Sequence, residues 1–230
     1  AAAGGKVGIF DMADEQGEAV AEALGNAAVY CHTDVADESS VQAGIDKTLH
    51  AFGVLHGVIN CAGIGIPAKV VGKKGPMPLD KFSKTIQVNL VGTFNVTRLA
   101  APHMIENEPN AEGERGVVVN TASVAAYEGQ VGQVAYAASK AGIVGMTLPM
   151  AREFADHGIR VVTIAPGLFD TPMFASLGEE VRASLQKQLP FPSRFGRPDE
   201  YAQMVQSILA NPVLNGETIR LDSAMRMQAK

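Results

Sequence analysis

The stretch Gly116-Val117-Val118-Val119-Asn120-Thr121-Ala122-Ser123, followed thirteen residues later by Tyr136-Ala137-Ala138-Ser139-Lys140, holds the architecture of the chain in miniature. The apolar, β-branched run over 116–120 reads as a buried strand. A long helical pattern over 133–157 follows, stopped by Gly158. On that helix Tyr136 and Lys140, four positions apart, share a face. Their phenol and ammonium point into one pocket. Ser123, carried alongside by the strand end, would hydrogen-bond an oxygen there. A cation beside a phenol favours its ionised form, so a tyrosine that ordinarily titrates near ~10 becomes a proton donor or acceptor at neutral pH. This combination suits interconversion of an alcohol and a carbonyl. The Tyr-x3-Lys spacing alone is weak, because a surface tyrosine above a helical lysine produces it too, so the surrounding chain has to supply context.

Working outward, strand-like runs alternate with helical patterns. Strands are predicted over 6–11, 27–32, 55–60, 116–120, 160–165 and 217–221. Helices are predicted over 15–24, 39–52, 79–106 with a break near Asn89, 133–157 with a kink at Pro149, and 198–209. A Pro/Gly-rich loop runs through Pro67, Gly72, Gly75, Pro76 and Pro78, and loops with short helices fill 169–188. The alternation predicts a single-domain α/β fold in three layers, α/β/α, on a doubly wound, Rossmann-type parallel sheet. Ligands of such sheets bind beyond the carboxyl ends of the strands, where Asp11, Asp34, Asn60, Ser123 and Pro166 all fall.

Composition narrows the function. The 230 residues are 47% hydrophobic and 19% charged, enough for one full core. A net charge of −5 lacks the basic footprint of a nucleic-acid binder. No apolar run reaches the ~20 residues of a membrane span. Nucleic-acid and membrane partners are therefore not expected. The two cysteines, Cys31 and Cys61, make no disulfide framework, fit a reducing compartment, and read as small buried hydrophobes. The five histidines show no metal-ligand spacing, so no metal is expected.

Taken together, Asp34-Val35, Asn60-Cys61-Ala62-Gly63, Val88-Asn89, Ser123, Tyr136-x3-Lys140 and Pro166-Gly167-x3-Thr171 resemble the short-chain dehydrogenase/reductase family over essentially the whole chain. Segments 119–140, 142–149 and 191–196, the loop over 70–78 and the ending 215–222 resemble its 3-hydroxyacyl-CoA dehydrogenase branch. The resemblance implies an NAD-dependent interconversion of a secondary alcohol and a ketone, with a hydroxysteroid or another short-chain alcohol as the alternative substrate. By the same resemblance Tyr136 is the general acid/base, Lys140 lowers its pKa and holds the nicotinamide ribose, and Ser123 polarises the carbonyl. Asn89 opens a kink and holds a relay water through its amide. Asp11 takes the adenosine ribose, Asp34 and Val35 the adenine, and Asn60, Cys61, Ala62 and Gly63 line the cofactor. Pro166, Gly167, Phe169 and Thr171 place the nicotinamide. Gln130 and Gln133 flank the start of the catalytic helix, where they either face the substrate or serve helix capping and loop packing; specificity is set over 168–195. Lys69, Lys73 and Lys74, on the Pro/Gly-rich loop, either are solvated, as loop lysines mostly are, or meet coenzyme A phosphates. Ala137, Ala138, Ala141, Gly142 and Gly145 form a small-residue surface suited to a homotetramer. The compartment implied is the cytoplasm, or the mitochondrial matrix in a eukaryote.

Two departures from the family pattern stand out. Ser223 occupies a position where the family commonly has glycine. The family's opening strand and Thr-Gly-x3-Gly-x-Gly turn are also not found in the sequence. The 23-residue step from Asp11 to Asp34 matches the family's spacing between its second and third strand ends. The expectation is that the strand and turn belong to the protein ahead of Ala1; the alternative is a shortened, non-catalytic chain serving as a pseudoenzyme or assembly subunit. That strand would lie between those ending at Asp11 and Asn60. Without it, both neighbours would carry unpaired backbone groups within the core, at about 1–3 kcal/mol each.

Overall fold

The computed structural model describes residues 1–172 and 178–229. The chain begins with β1 (Val7–Asp11), α1 (Asp14–Leu24), β2 (Ala28–His32), α2 (Glu38–Phe52) and β3 (Gly57–Asn60). A small hairpin of β4 (Val71–Gly72) and β5 (Gly75–Pro76) interrupts the next loop. Helix α3 (Leu79–Ile86) continues through a π-helical turn at Gln87–Val91 into α4 (Gly92–Ile105). Then come β6 (Gly116–Thr121), α5 (Val134–Phe154), β7 (Ile159–Pro166), α6 (Glu179–Gln186), α7 (Pro198–Ala210) and β8 (Thr218–Leu221).

Strand β6 shows how the sequence makes three layers. Successive side chains of a strand point to opposite faces. Val118 joins a core with Val41 and Ile45 of α2, Val96 and Met104 of α4, and Met150 of α5. Val117 and Val119 join Ile208 of α7 on the other face, with Val162 and Ile164 of β7. Burying such a valine contributes roughly 1.5–3 kcal/mol, so the unbroken apolar run needs both covering layers.

The strands β3, β6, β7 and β8 form one parallel sheet in that order, with Val58 opposite Val118, Val119 opposite Val162, and Ile164 opposite Ile219. Strands β1 and β2 form a separate parallel pair, Phe10 opposite Cys31. No ladder joins β1 to β3 among the described residues. Helix α2 spans the divide, packing Val41 and Ile45 with both Phe10 and Val58. The parallel sheet flanked by helices is present, but it is split between the strands ending at Asp11 and Asn60. On the two facing edges Val7 and Ile59 are 37% and 42% exposed.

Other expectations shift for physical reasons. The break at Asn89 is a π-helical turn, so the helix bulges without ending. Helix α5 runs past Pro149 to Phe154, and Gly158 at φ 69° in the left-handed region follows it. The hairpin went unread because two-residue strands carry no visible alternation. Of the loop over 169–188, residues 173–177 lie outside those described. No helix among the described residues is long and apolar enough to cross a membrane.

The departure at Ser223 has a structural cost. Its φ is 53° and that of Ala224 is 60°, both left-handed, which strains a residue with a Cβ by roughly 1–2 kcal/mol. The Asp222 side chain offsets part of this by accepting from Ala224 N at 3.1 Å. Replacing Ser223→Gly should therefore raise the unfolding free energy by about 1 kcal/mol, net of glycine's greater chain entropy. Urea unfolding of the two proteins measures it, and a loss of stability would contradict the strain.

Candidate active site

The end of β6 and the start of α5 assemble the centre. Ser123 follows β6 and caps a 3-10 turn at Val124–Ala126, its Oγ accepting from Ala125 N at 3.1 Å. Tyr136 lies in the first turn of α5, half-buried, with the Ser123 side chain near enough to favour its ionised form. Lys140, one helical turn further, is 4% exposed. Its Nζ donates to the Thr121 carbonyl at 2.8 Å and lies 5.7 Å from the centroid of the Tyr136 ring. The structure thus gathers Ser123, Tyr136 and Lys140 at the carboxyl end of β6.

Electrostatics in this pocket follow burial. Desolvation lowers Lys140 from 10.5 to about 8, opposed by the Cys61 thiol nearby. Burial also raises Tyr136 above its ordinary 10, and the Ser123 hydrogen bond only partly offsets that. The expected downward pull of Lys140 on Tyr136 is therefore not the governing effect. Nζ is committed to Thr121 and lies over the ring face, and the desolvated phenolate is the costlier species.

Asn89 also differs from its expected role. Its Oδ1 accepts from Ile64 N at 2.8 Å, and its Nδ2 donates to Ile64 O at 2.9 Å and Ser139 Oγ at 3.0 Å. Both ends of the amide are spent on protein partners, so the amide is not what would hold a relay water. It clamps the loop after β3 onto α5. Ser139, which the sequence reading missed, completes the clamp by donating to Tyr136 O at 2.7 Å. Gly63 lies beneath: a Cβ there would come 3.4 Å from Asn89 Oδ1 and 3.5 Å from Lys140 Nζ.

Along the strand ends, Asp11 is exposed at the tip of β1, with Oδ1 accepting from Ala13 N at 2.9 Å. Asp34 spends Oδ1 on Ala36 N at 2.9 Å, while Asp37 is the cap of α2, accepting from Ser40 N at 2.7 Å. Val35 docks on α4, its carbonyl accepting from Asn95 Nδ2 at 3.0 Å. Asn60 is buried and donates to Thr97 Oγ1 at 3.1 Å and Asn120 Oδ1 at 2.9 Å. Cys31 is buried as expected, but Cys61 is exposed by surface area, together with Ala62. Enough protein surrounds the Cys61 thiol for desolvation to push it up, so it is not poised for reaction.

On the β7 side, Pro166 and Gly167 are half-buried, and Gly167 N donates to Leu221 O at 2.9 Å. A Cβ on Gly167 would meet Asp222 Cα at 2.9 Å, which explains the glycine. Phe169 packs edge-on against Tyr201 of α7, ring centroids 6.2 Å apart, and Thr171 is half-buried. Gln133 Oε1 accepts from Gln130 N at 3.0 Å, and Gln130 Nε2 donates to Gln228 O at 2.9 Å, tying the C-terminal segment to the helix start. Both glutamines line a cavity of about 490 Å³, together with Lys69, Val71, Gly132 and Ala137. The hairpin turn carries Lys73 and Lys74.

The buried ammonium has a thermodynamic signature. Lys140 titrates lower in the folded chain than its ordinary 10.5, so between the two values the unfolded chain binds more protons and stability rises with pH. The penalty is fully present below about 8 and gone above about 10.5. Comparing wild type with Lys140→Met cancels the other groups. The stability advantage of the variant should narrow by about 2–3 kcal/mol between about pH 7 and about pH 10. Urea unfolding at both pH values checks it; a pH-independent difference would mean that Lys140 keeps its ordinary pKa.

Comparison with known proteins accords with this geometry. A sequence model described as short chain dehydrogenase matches residues 1–182. The 3-hydroxyacyl-CoA dehydrogenase type-2 of Mus musculus is 53% identical over 222 residues, spanning 96% of this chain and 85% of that protein. Its namesake from Drosophila melanogaster is 51% identical over 226 residues, spanning 97% of this chain and 89% of that protein. The crystal structure of 3-hydroxyacyl-CoA dehydrogenase type-2 from Mycobacterium avium superposes with a TM-score of 0.95 at 45% identity, covering 100% of this chain and 89% of that one. Parallel strands, a Ser–Tyr–Lys cluster at their ends and a match over most of the chain have one reading: this chain belongs to the short-chain dehydrogenase family.

Proposed function

We propose that the chain forms one catalytic domain that uses NAD to interconvert a 3-hydroxyacyl-CoA and the corresponding 3-oxoacyl-CoA. The observation that carries this reading is the convergence of the Ser123 and Tyr136 hydroxyls beside the buried Lys140 ammonium. The names of relatives more than 50% identical supply the substrate class.

The residues at the strand ends fit a dinucleotide. Asp11 offers an exposed carboxylate at one end of the cleft, and Lys140 offers a cation at the other. A Cβ at Gly63 would rest in van der Waals contact with Asn89 and Lys140, so the glycine leaves that much more room for the cofactor. In this reading Asp11 accepts from the adenosine ribose hydroxyls and repels a 2′-phosphate, which favours NAD over NADP. Asp34 and Val35 flank the adenine, Asn60, Cys61, Ala62 and Gly63 line the floor, and Lys140 holds the second ribose. Pro166, Gly167 and Thr171 bound the nicotinamide end. Phe169 contributes backbone there, because its ring is engaged with Tyr201. When bound, the cofactor would supply the hydride as NADH for ketone reduction and accept it as NAD+ for alcohol oxidation.

Ser123 Oγ already accepts from Ala125 N, so its own proton is available to a substrate oxygen. Tyr136 gives its proton to that oxygen when a ketone is reduced and takes it back when an alcohol is oxidised. Lys140 contributes positive charge in a desolvated pocket, where it acts more strongly than in water. Asn89 keeps the cofactor floor in register by holding Ile64. Gln130, Gln133 and Lys69 line the cavity for the thioester, with Lys73 and Lys74 on the hairpin beside it for the coenzyme's phosphates.

A homotetramer belongs to the same reading, with Ala137 and Gly142 leaving its surface. Gly142 packs inward, since a Cβ there would meet Leu90 at 2.8 Å. Val134, Ala138, Ala141, Gly145 and Leu148 form the outward stripe of α5 instead.

The test follows NADH oxidation by the purified full-length protein with acetoacetyl-CoA and, in parallel, a steroid ketone. Turnover of the thioester is expected; turnover of the steroid alone would replace the substrate class. Tyr136→Phe should lower kcat by about 10²- to 10⁴-fold, and near-normal activity would remove Tyr136 from proton transfer. Asp11→Ala combined with Met12→Arg should shift the kcat/KM ratio from NADH toward NADPH, whereas an unchanged ratio would exclude the ribose role.

A further inference from the structure

We propose that Tyr201 is a positioning residue for the Lys140 ammonium, acting through Thr121. The proposal rests on the reading above only in giving Lys140 its function.

Lys140 reaches the end of β6 from α5 and donates to the main-chain carbonyl of Thr121 at 2.8 Å. The direction of the ammonium therefore depends on where that carbonyl points. Thr121 is the last residue of β6, where the ladder gives its backbone least support. Its side chain follows the alternation of Val117 and Val119 and faces the α7 layer. There the Tyr201 hydroxyl meets Thr121 Oγ1 at 2.6 Å. One residue is thus gripped from both layers, its carbonyl by α5 and its hydroxyl by α7.

A phenylalanine would fill the Tyr201 site equally well, since the ring packs with the apolar cluster around Ile208. The hydroxyl is a polar commitment that packing does not require. Donation from Tyr201 to Thr121 Oγ1 leaves the Thr121 proton for Cys61 Sγ, 3.8 Å away. The Tyr201 ring is itself fixed edge-on against Phe169. Phe169 is held by Gly196, where a Cβ would come 2.7 Å from the ring, and by the flanking bonds Gly196 N to Leu168 O at 2.9 Å and Asp170 N to Gly196 O at 2.8 Å. Tyr201 therefore joins the closed base of the 168–196 excursion to the lysine anchor.

The titratable groups facing Lys140 are Cys61 beyond β3 and Tyr136 on its own helix, with Tyr201 behind Thr121. A well-placed carbonyl favours the charged ammonium, so loosening it should lower the pH at which Lys140 loses its proton. The experiment measures the pH dependence of Lys140 acetylation by acetic anhydride, read by peptide mass spectrometry, which needs neither cofactor nor substrate. Tyr201→Phe should move the midpoint down by about half a unit or more. Thr121→Val should do the same, the double variant no more than either, and Thr121→Ser should restore the wild-type midpoint. With acetoacetyl-CoA, kcat should fall about three- to tenfold in Tyr201→Phe and recover in Thr121→Ser.

A wild-type midpoint in folded Tyr201→Phe would overturn the proposal, as would additive effects in the double variant. Should Tyr201→Phe fail to fold, the Thr121→Val and Thr121→Ser pair reads the same contact from the other side. Absence of acetoacetyl-CoA turnover in wild type would defeat the proposed substrate while leaving the acetylation readout intact.

Discussion

A lysine ammonium held almost out of water is the constraint around which the rest of this site is built. Burial lowers the affinity of Lys140 for its proton, and that charge survives near neutrality only with compensating partners. The Thr121 carbonyl is one such partner, and Gly63 lies close by, where a Cβ would come 3.5 Å from the ammonium. Each of those features ties the ammonium to another element, Thr121 to the end of β6 and Gly63 to the loop after β3. The site is thus destabilising by design of its charge, and the surrounding layers have to be stable enough to hold it.

A buried polar chain supplies part of that rigidity. Ser139 donates to the Tyr136 carbonyl and accepts from Asn89, whose amide also brackets the backbone of Ile64. The Asn89 carbonyl accepts from Thr93 Oγ1, the Thr93 carbonyl from Thr97 Oγ1, and Thr97 Oγ1 from Asn60. The π-helical turn at 87–91 makes this geometry possible by rotating Asn89 out of the regular ladder. A chain of this kind resists the small displacements to which proton and hydride transfer are sensitive.

Much of this was legible in the primary structure, though unevenly. The run over 116–120 announced a strand buried on both faces because its consecutive valines leave neither face polar, and Gly158 marked a helix end because it can adopt a left-handed conformation. The Tyr136–Lys140 pair was visible because helical spacing is local. The split in the sheet falls between the strand ends at Asp11 and Asn60, where the spacing of Asp11 and Asp34 had placed it. Thr121, Ser139 and Tyr201 went unnoticed for a different reason. Their partners are up to 80 residues away, as for Thr121 and Tyr201, and an isolated Thr, Ser or Tyr carries no pattern.

What the sequence by itself determined were the properties set by nearest neighbours: strand and helix periodicity, the glycine stops, the shared helix face of Tyr136 and Lys140, and the gathering of special residues at strand ends. Only the tertiary structure decided how those groups are charged and to whom they are bonded. It placed Cys61 in the open cleft, spent the Asn89 amide on Ile64 and Ser139, and made burial outweigh Lys140 in setting the acidity of Tyr136. The physical reason is that desolvation and hydrogen-bond geometry are sums over atoms brought together from distant parts of the chain, and no local pattern encodes them.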